Sequence, residues 1–220
     1  MKPKVQTFHV AAALLLAAAT AASAGVREKG YEIGVYGGFE NGDHHTNVPT
    51  GGSYGFRAAY AFTKKLMAEL TVDAFPSSRD LVIRVGDPSI PIKQVPAGIS
   101  PNADFLSYTL GLTANFLTER DVKTTPYFNV SLGFMTESRS AGSFSVQTNP
   151  NDPNSVVNGQ FLAQKDTGTA LSVAVGARTF FTPTMGLRYD LRYIHHDTFG
   201  KNQDGYQLSV GATFAVGGKK

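Results

Sequence analysis

Eight stretches of this chain alternate apolar and polar side chains with a period of two, and their apolar faces together exceed what one water-facing core could use. In residues 185–194, Met185, Leu187, Tyr189, Leu191 and Tyr193 are interleaved with Gly186, Arg188, Asp190, Arg192 and Ile194. In 206–214, Tyr206, Leu208, Val210, Ala212 and Phe214 are interleaved with Gln207, Ser209, Gly211 and Thr213. A strand sends successive side chains to opposite faces, so each stretch has one greasy and one polar side. The same pattern runs through 31–40, 53–62, 66–75, 105–116, 127–135 and 170–181. None of the eight apolar faces carries a charge. An Arg or Lys on the lipid face of a barrel costs about 2–4 kcal/mol at the bilayer midplane, so this absence is what lipid exposure demands. The pattern predicts an all-β fold: an eight-stranded antiparallel up-and-down transmembrane barrel with lipid outside and a polar, filled interior.

The polar faces are mostly Gly, Ser, Thr, Asn and Ala, small enough for a narrow lumen. Among them stand four acids, Glu32, Glu69, Asp73 and Asp190, and four bases, Arg57, Arg178, Arg188 and Arg192. Buried charges persist when paired or hydrated, so these eight are expected to form an interior ionic network. The connections alternate in length. Residues 63–65, 118–124 and 182–184 make short turns, whereas 41–52, 76–104, 136–169 and 197–205 are longer and rich in Pro, Asn, Asp and Gly. Short turns on one rim and long loops on the other place both termini on the periplasmic side. That direction sorts the outward aromatics into two interface girdles. Tyr31, Phe62, Phe116, Phe128, Phe181 and Phe214 fall at the periplasmic end; Phe39, Tyr54, Tyr108, Phe134, Tyr193 and Tyr206 fall at the outer end.

Within the long loops, 81–85 with 90–95 and 144–147 with 160–163 read as hairpins continuing above the membrane. A ten- or twelve-stranded barrel is the competing count, against which Pro88, Pro91 and Pro96 argue.

Lys2 and Lys4, an apolar run over 10–22 and the small-x-small site Ala22-Ser23-Ala24 read as a secretory signal peptide over 1–24, leaving 25–220 as the barrel domain. Of 20 Lys and Arg, removing Lys2 and Lys4 leaves 18 against 17 acids, so the exported chain is nearly neutral. With no Lys/Arg-rich run, nucleic acid is not an expected partner. The absence of cysteine excludes a disulfide framework and a thiolate metal site.

The opening Gly34-Val35-Tyr36-Gly37-Gly38-Phe39, the entry Thr125-Pro126-Tyr127 and the strand Arg188-Tyr189-Asp190-Leu191-Arg192-Tyr193 together resemble the OmpA/OmpX-type small outer-membrane barrels. The resemblance implies the outer membrane of a Gram-negative-type bacterium, with outer-membrane lipid as solvent and partner. It specifies architecture better than activity, since members serve as structural proteins, adhesins, small pores or lipid-modifying enzymes. It departs from the family where Phe214 is followed by six further residues, 215–220, instead of ending the chain on an aromatic. The chain looks unlike members carrying a C-terminal peptidoglycan-binding domain, so tethering to the cell wall by that route is not expected.

Three chemistries are worth naming. Closure of the barrel would bring Asp43-His44-His45 and His195-His196-Asp197 to adjoining outer loops, where imidazole and carboxylate suit Zn, Cu or Ni, although nothing fixes a ligand geometry. These four histidines are the candidate ligands, although neither a metal nor a cofactor is expected. Lipid A 3-O-deacylase barrels pair His-x-Ser with a carboxylate on the next strand. His196-Asp197-Thr198 is the nearest match, but Gln207 and Ser209 stand where the carboxylate would. An eight-stranded lumen is just wide enough for its own side chains, which limits a pore to weak ionic leakage. The expectation is a non-catalytic monomer, structural or interactive, whose outer loops meet a surface or envelope ligand; a narrow ion-conducting pore or a deacylase-like enzyme is the alternative.

Overall fold

The computed structural model describes residues 26–41, 50–78, 82–85, 93–96, 102–116, 123–147 and 156–219. The proposed signal peptide, His44 and His45 lie outside the described residues. Twelve strands follow one another: β1 (Glu28–Asn41), β2 (Gly51–Ala61), β3 (Leu66–Ser78), β4 (Val82–Val85), β5 (Lys93–Pro96), β6 (Asn102–Asn115), β7 (Thr124–Arg139), β8 (Gly142–Gln147), β9 (Val156–Phe161), β10 (Gln164–Phe180), β11 (Met185–Thr198) and β12 (Lys201–Lys219). Eight of them close a barrel in the order β1-β12-β11-β10-β7-β6-β3-β2, antiparallel throughout. The β4–β5 and β8–β9 hairpins form separate two-stranded sheets, so the barrel count is eight and not ten or twelve.

Period-two alternation sorts the side chains as its chemistry requires. Leu110, Leu132 and Leu208 are 64%, 63% and 63% exposed on the outer surface, while the inward Arg178, Arg192 and Gln207 are 0%, 1% and 0% exposed. A water-soluble protein would reverse those values. Small inward residues let the wall close tightly. A Cβ added to Gly133 of β7 would sit on the Tyr108 carbonyl oxygen of β6.

The strands outrun their sequence-predicted limits at both rims. At the periplasmic rim, β12 continues past Phe214 to Lys219 and pairs with β1 back to Glu28. At the outer rim, residues 197–205 are not a long loop. Register continues to Thr198↔Lys201, and the chain reverses at Phe199-Gly200 with φ of 53° and 64°. Two successive left-handed residues are what a tight hairpin needs to match the strand twist. Residues 136–169 are likewise mostly strand, through β7, β8, β9 and β10.

The interior also departs from a purely polar filling. Phe75, Ala103, Phe105, Met135, Ala170 and Ile194 form a buried apolar cluster near the outer end, with the Phe75 and Phe105 rings stacked 5.7 Å apart. A smaller cluster of Ala59, Ala61 and Met67, with Val26 against it, lies towards the periplasmic end.

Candidate functional site: the filled interior and the outer mouth

Between the apolar clusters all eight charged residues named from the alternation are buried, and all pair. Lowest is Arg178, which donates to Glu32 at 3.1 Å and to Asn115 at 3.0 Å, while Thr213 donates to the other Glu32 oxygen at 2.8 Å. Above it, Arg188 grips Glu69 with two bonds of 2.6 and 2.9 Å, and Arg57 grips Asp190 with two of 2.6 and 3.0 Å. Bidentate guanidinium–carboxylate pairs are among the strongest and most directional of protein hydrogen bonds. Higher still, Arg192 donates to Asp73 at 2.9 Å, and Ser107, Gln207 and the Tyr36 hydroxyl converge on the same carboxylate.

Two inward tyrosines join these tiers. The Tyr127 ring lies between the Arg178 and Arg188 guanidiniums, 4.7 and 4.3 Å from its centroid. Its hydroxyl accepts from Arg188 Nε at 2.7 Å and donates to Asp190 at 2.9 Å. Tyr36 carries the Arg57 guanidinium 3.9 Å above its ring. The void left beside Glu32, Tyr36, Arg57 and Arg188 is of water size rather than solute size.

Beyond the apolar cluster lies a second polar layer that the alternating segments did not disclose. Thr198 donates to Glu137 at 2.9 Å, Gln203 to Thr198 at 2.7 Å, and Arg139 to Glu137 at 2.7 Å. Arg139 lies 3.8 Å over the Phe199 ring, and the Phe199 amide donates to Asp166. The β11–β12 hairpin tip is thereby fastened across the mouth to β7 and β10. A Cβ on Gly168 of β10 would fall on the Asp197 carbonyl, so the crossing needs glycine there.

Two of the four candidate histidines lie among the described residues. His195 and His196 are neighbours on one strand and point to opposite faces, so they cannot ligate one ion together. His196 is buried, edge-on to Phe105 at 5.9 Å. His195 is on the outer surface, where its Nδ1 lies 2.7 Å from Asp204 and Tyr193 donates to the same carboxylate oxygen at 2.6 Å. These hydrogen bonds, Tyr193 first, hold the Asp204 carboxyl below its ordinary range. Among the described residues no group of three or more potential ligands is arranged for a metal.

A carboxylate does approach the His-x-Thr stretch, contrary to expectation: it is Glu137, from β7. It engages the Thr198 hydroxyl directly, and both side chains are fully buried. In a nucleophile–base relay the carboxylate orients the imidazole, which in turn contacts the hydroxyl. Here threonine and glutamate are joined to each other.

The twelve girdle aromatics all point outward. Ten are well exposed, and Tyr193 and Phe214 are half-buried.

A closed barrel with an apolar exterior, aromatic girdles and an ion-paired interior defines a transmembrane β-barrel of the bacterial outer membrane. The chain belongs to the outer membrane protein beta-barrel domain family, whose model matches residues 10–214. Among solved structures it is similar to Neisserial surface protein A, at 14% identity and a TM-score of 0.55, covering 84% of this chain and 96% of that one. It is also similar to the outer membrane protein OprG of Pseudomonas aeruginosa, at 12% identity and a TM-score of 0.54, covering 89% of this chain and 99% of that one. At these identities the likeness is one of fold. No curated sequence relative matches the chain.

Proposed function

We propose that this outer-membrane barrel is a non-catalytic, non-conducting scaffold, monomeric in the membrane, that presents its outer hairpins to a surface or envelope ligand. The observation that carries this reading is the filled interior: three tiers of ion pairs, an apolar layer above them, and a hairpin tip fastened over the mouth. Passage of a solute would require breaking several buried ion pairs, two of them bidentate, each worth several kcal/mol once one partner is left unpaired. The Thr198–Glu137 contact is fully buried, so its hydroxyl is not an accessible nucleophile. Beyond that filling lies the outer rim, which carries the β4–β5 and β8–β9 hairpins.

Two measurements test the proposal. In planar bilayers the protein should give no stable nanosiemens-scale steps; such steps would refute the non-conducting scaffold. Residues 143–160 should then be replaced by a short turn, leaving Arg139 and Asp166 to hold the mouth. Binding of cells bearing this variant to envelope or surface material should fall, and unchanged binding would place the function elsewhere.

A further inference from the structure

The barrel strands divide the charges of the chain unevenly between the two rims. The periplasmic connections and end segments, 26–30, 63–65, 118–124, 182–184 and 215–220, carry eight Lys and Arg against three Asp and Glu. The outer connections, 41–52, 76–104, 136–169 and 197–205, carry six against nine. The four arginines and four acids of the interior network cancel one another. A chain that is nearly neutral as a whole therefore has a basic periplasmic rim and an acidic outer one.

Among the described residues, four of the periplasmic bases line one arc. Lys29 is at the foot of β1, Lys64 and Lys65 form the β2–β3 turn, and Lys123 leads into β7. Lys29, Lys65 and Lys123 are exposed and Lys64 is half-buried. Strands β1, β2, β3, β6 and β7 are consecutive in the wall, so the four lysines belong to one side of the rim. On the other side the β10–β11 turn, Thr182-Pro183-Thr184, has no charge. Arg27 is consumed there, donating to the Pro183 and Gly217 carbonyls at 2.9 and 3.0 Å. None of the four ammonium groups has an ion-pair or hydrogen-bond partner among the described residues.

The backbone fixes where three of these lysines stand. The Lys64 carbonyl accepts from Asn115 Nδ2 at 2.9 Å and the Lys65 carbonyl from the Asn115 amide at 2.8 Å. The Lys123 carbonyl accepts from the Phe180 amide at 2.9 Å. Depth is set by the lipid-facing neighbours. Lys64 and Lys65 sit between Phe62 and Leu66, 46% and 41% exposed on the outer wall, and Lys29 is two residues from Tyr31 in the same girdle. An ammonium one or two residues beyond such a girdle stands at headgroup depth, with its methylenes along the apolar wall. The anions at that depth are lipid phosphates, and in the periplasmic leaflet of an outer membrane these belong to glycerophospholipids. Lysines close to an anionic membrane surface add to one another's attraction, which dies away within a Debye length.

We propose that Lys29, Lys64, Lys65 and Lys123 form a docking arc for the headgroups of anionic glycerophospholipids in the periplasmic leaflet, enriching them beside β1, β2, β3, β6 and β7. This goes beyond the surface-interaction reading, which concerns the opposite rim, and does not depend on it.

The test uses the full barrel refolded into phosphatidylcholine vesicles with a trace of spin-labelled lipid, whose motionally restricted fraction measures the lipid touching the wall. Spin-labelled phosphatidylglycerol should associate about threefold more strongly than spin-labelled phosphatidylcholine in ~0.05 M salt, and the preference should shrink towards one in about 1 M salt. The fourfold variant Lys29→Gln/Lys64→Gln/Lys65→Gln/Lys123→Gln should abolish the preference, and Lys64→Gln/Lys65→Gln should reduce it. The outer-rim variant Lys165→Gln/Lys201→Gln should keep it. Folding of each variant is checked by mobility on unheated gels. Equal association of the two lipids with the native barrel, an unchanged preference in the fourfold variant, or a preference lost in the outer-rim variant would overturn the proposal. So would abolition of the preference by inorganic phosphate at constant ionic strength, since that would make the arc a site for free phosphate. None of these results bears on the hairpin-replacement experiment, so failure of the arc and failure of the scaffold reading are separable.

Discussion

Replacing Asp190 tests the interior network where its members are most interdependent. The carboxylate accepts two bonds from Arg57 and one from Tyr127, and Arg188 Nε lies 3.8 Å away. In Asp190→Ala the Arg57 guanidinium loses both carboxylate bonds and keeps a 3.2 Å bond to the Ser209 hydroxyl and its place over the Tyr36 ring. It also stays beside the Arg188 cation with one fewer anion between them. Breaking a buried pair by removing one partner costs about 3–5 kcal/mol, most of it the penalty of the charge left behind. Arg57→Met should cost less, about 1–3 kcal/mol, because Asp190 retains the Tyr127 hydroxyl and nearby Arg188 as partners. Arg57→Met combined with Asp190→Leu should recover much of the Asp190→Ala loss, since matched apolar replacements of buried pairs are often close to neutral.

The chain has no tryptophan. Unfolding by urea in lipid vesicles is therefore followed by the shift between folded and unfolded bands on unheated gels, with circular dichroism as a second probe. The reasoning fails if Asp190→Ala costs under about 1 kcal/mol, if Arg57→Met is the costlier change, or if the paired replacement costs as much as Asp190→Ala alone.

Two further outcomes follow from the wall and the mouth. Leu132→Arg places a cation on the mid-height outer surface and should cost about 2–4 kcal/mol in vesicles, against about 0–1 kcal/mol for Tyr206→Arg at the outer girdle; equal costs in the urea assay would contradict the lipid placement. Gly168→Ala should lift the β11–β12 tip from β10 and make Phe199-Gly200 at least tenfold more sensitive to protease in the folded barrel. Unchanged cleavage would mean that the tip is held without the close crossing.

The barrel was legible because lipid imposes a strict rule: every second residue of a spanning strand must be free of charge, and eight segments obey it. The membership of the ionic network was legible for the same reason, as charges excluded from one face must lie on the other. Who pairs with whom was not. Arg57 and Asp190 are 133 residues apart in sequence, and their meeting depends on strand stagger that no local pattern encodes. The apolar layer did leave a trace. Ala74-Phe75, Phe105-Leu106, Phe134-Met135, Ala170-Leu171 and Tyr193-Ile194 each break the alternation with two consecutive apolar residues near the outer girdle. Coinciding breaks on five strands mark a plane where the inward side also turns apolar. The mouth layer escaped because Glu137, Arg139, Asp166 and Thr198 lie where polar residues are as expected in loops as in strands. Their role emerges only once Phe199 is seen under Arg139.

Inverted polarity is tested most directly by depth-resolved quenching. The native chain has no cysteine, so single replacements at Leu110, Leu132 and Val175 on the outer surface, and at Ser131 and Thr109 within, can each carry one small fluorophore in turn. Brominated lipid chains should quench the first three strongly and the last two weakly, or those two variants should resist labelling while folded. Strong lipid quenching at Ser131 and Thr109 with protection at Leu110 and Leu132 would contradict the account.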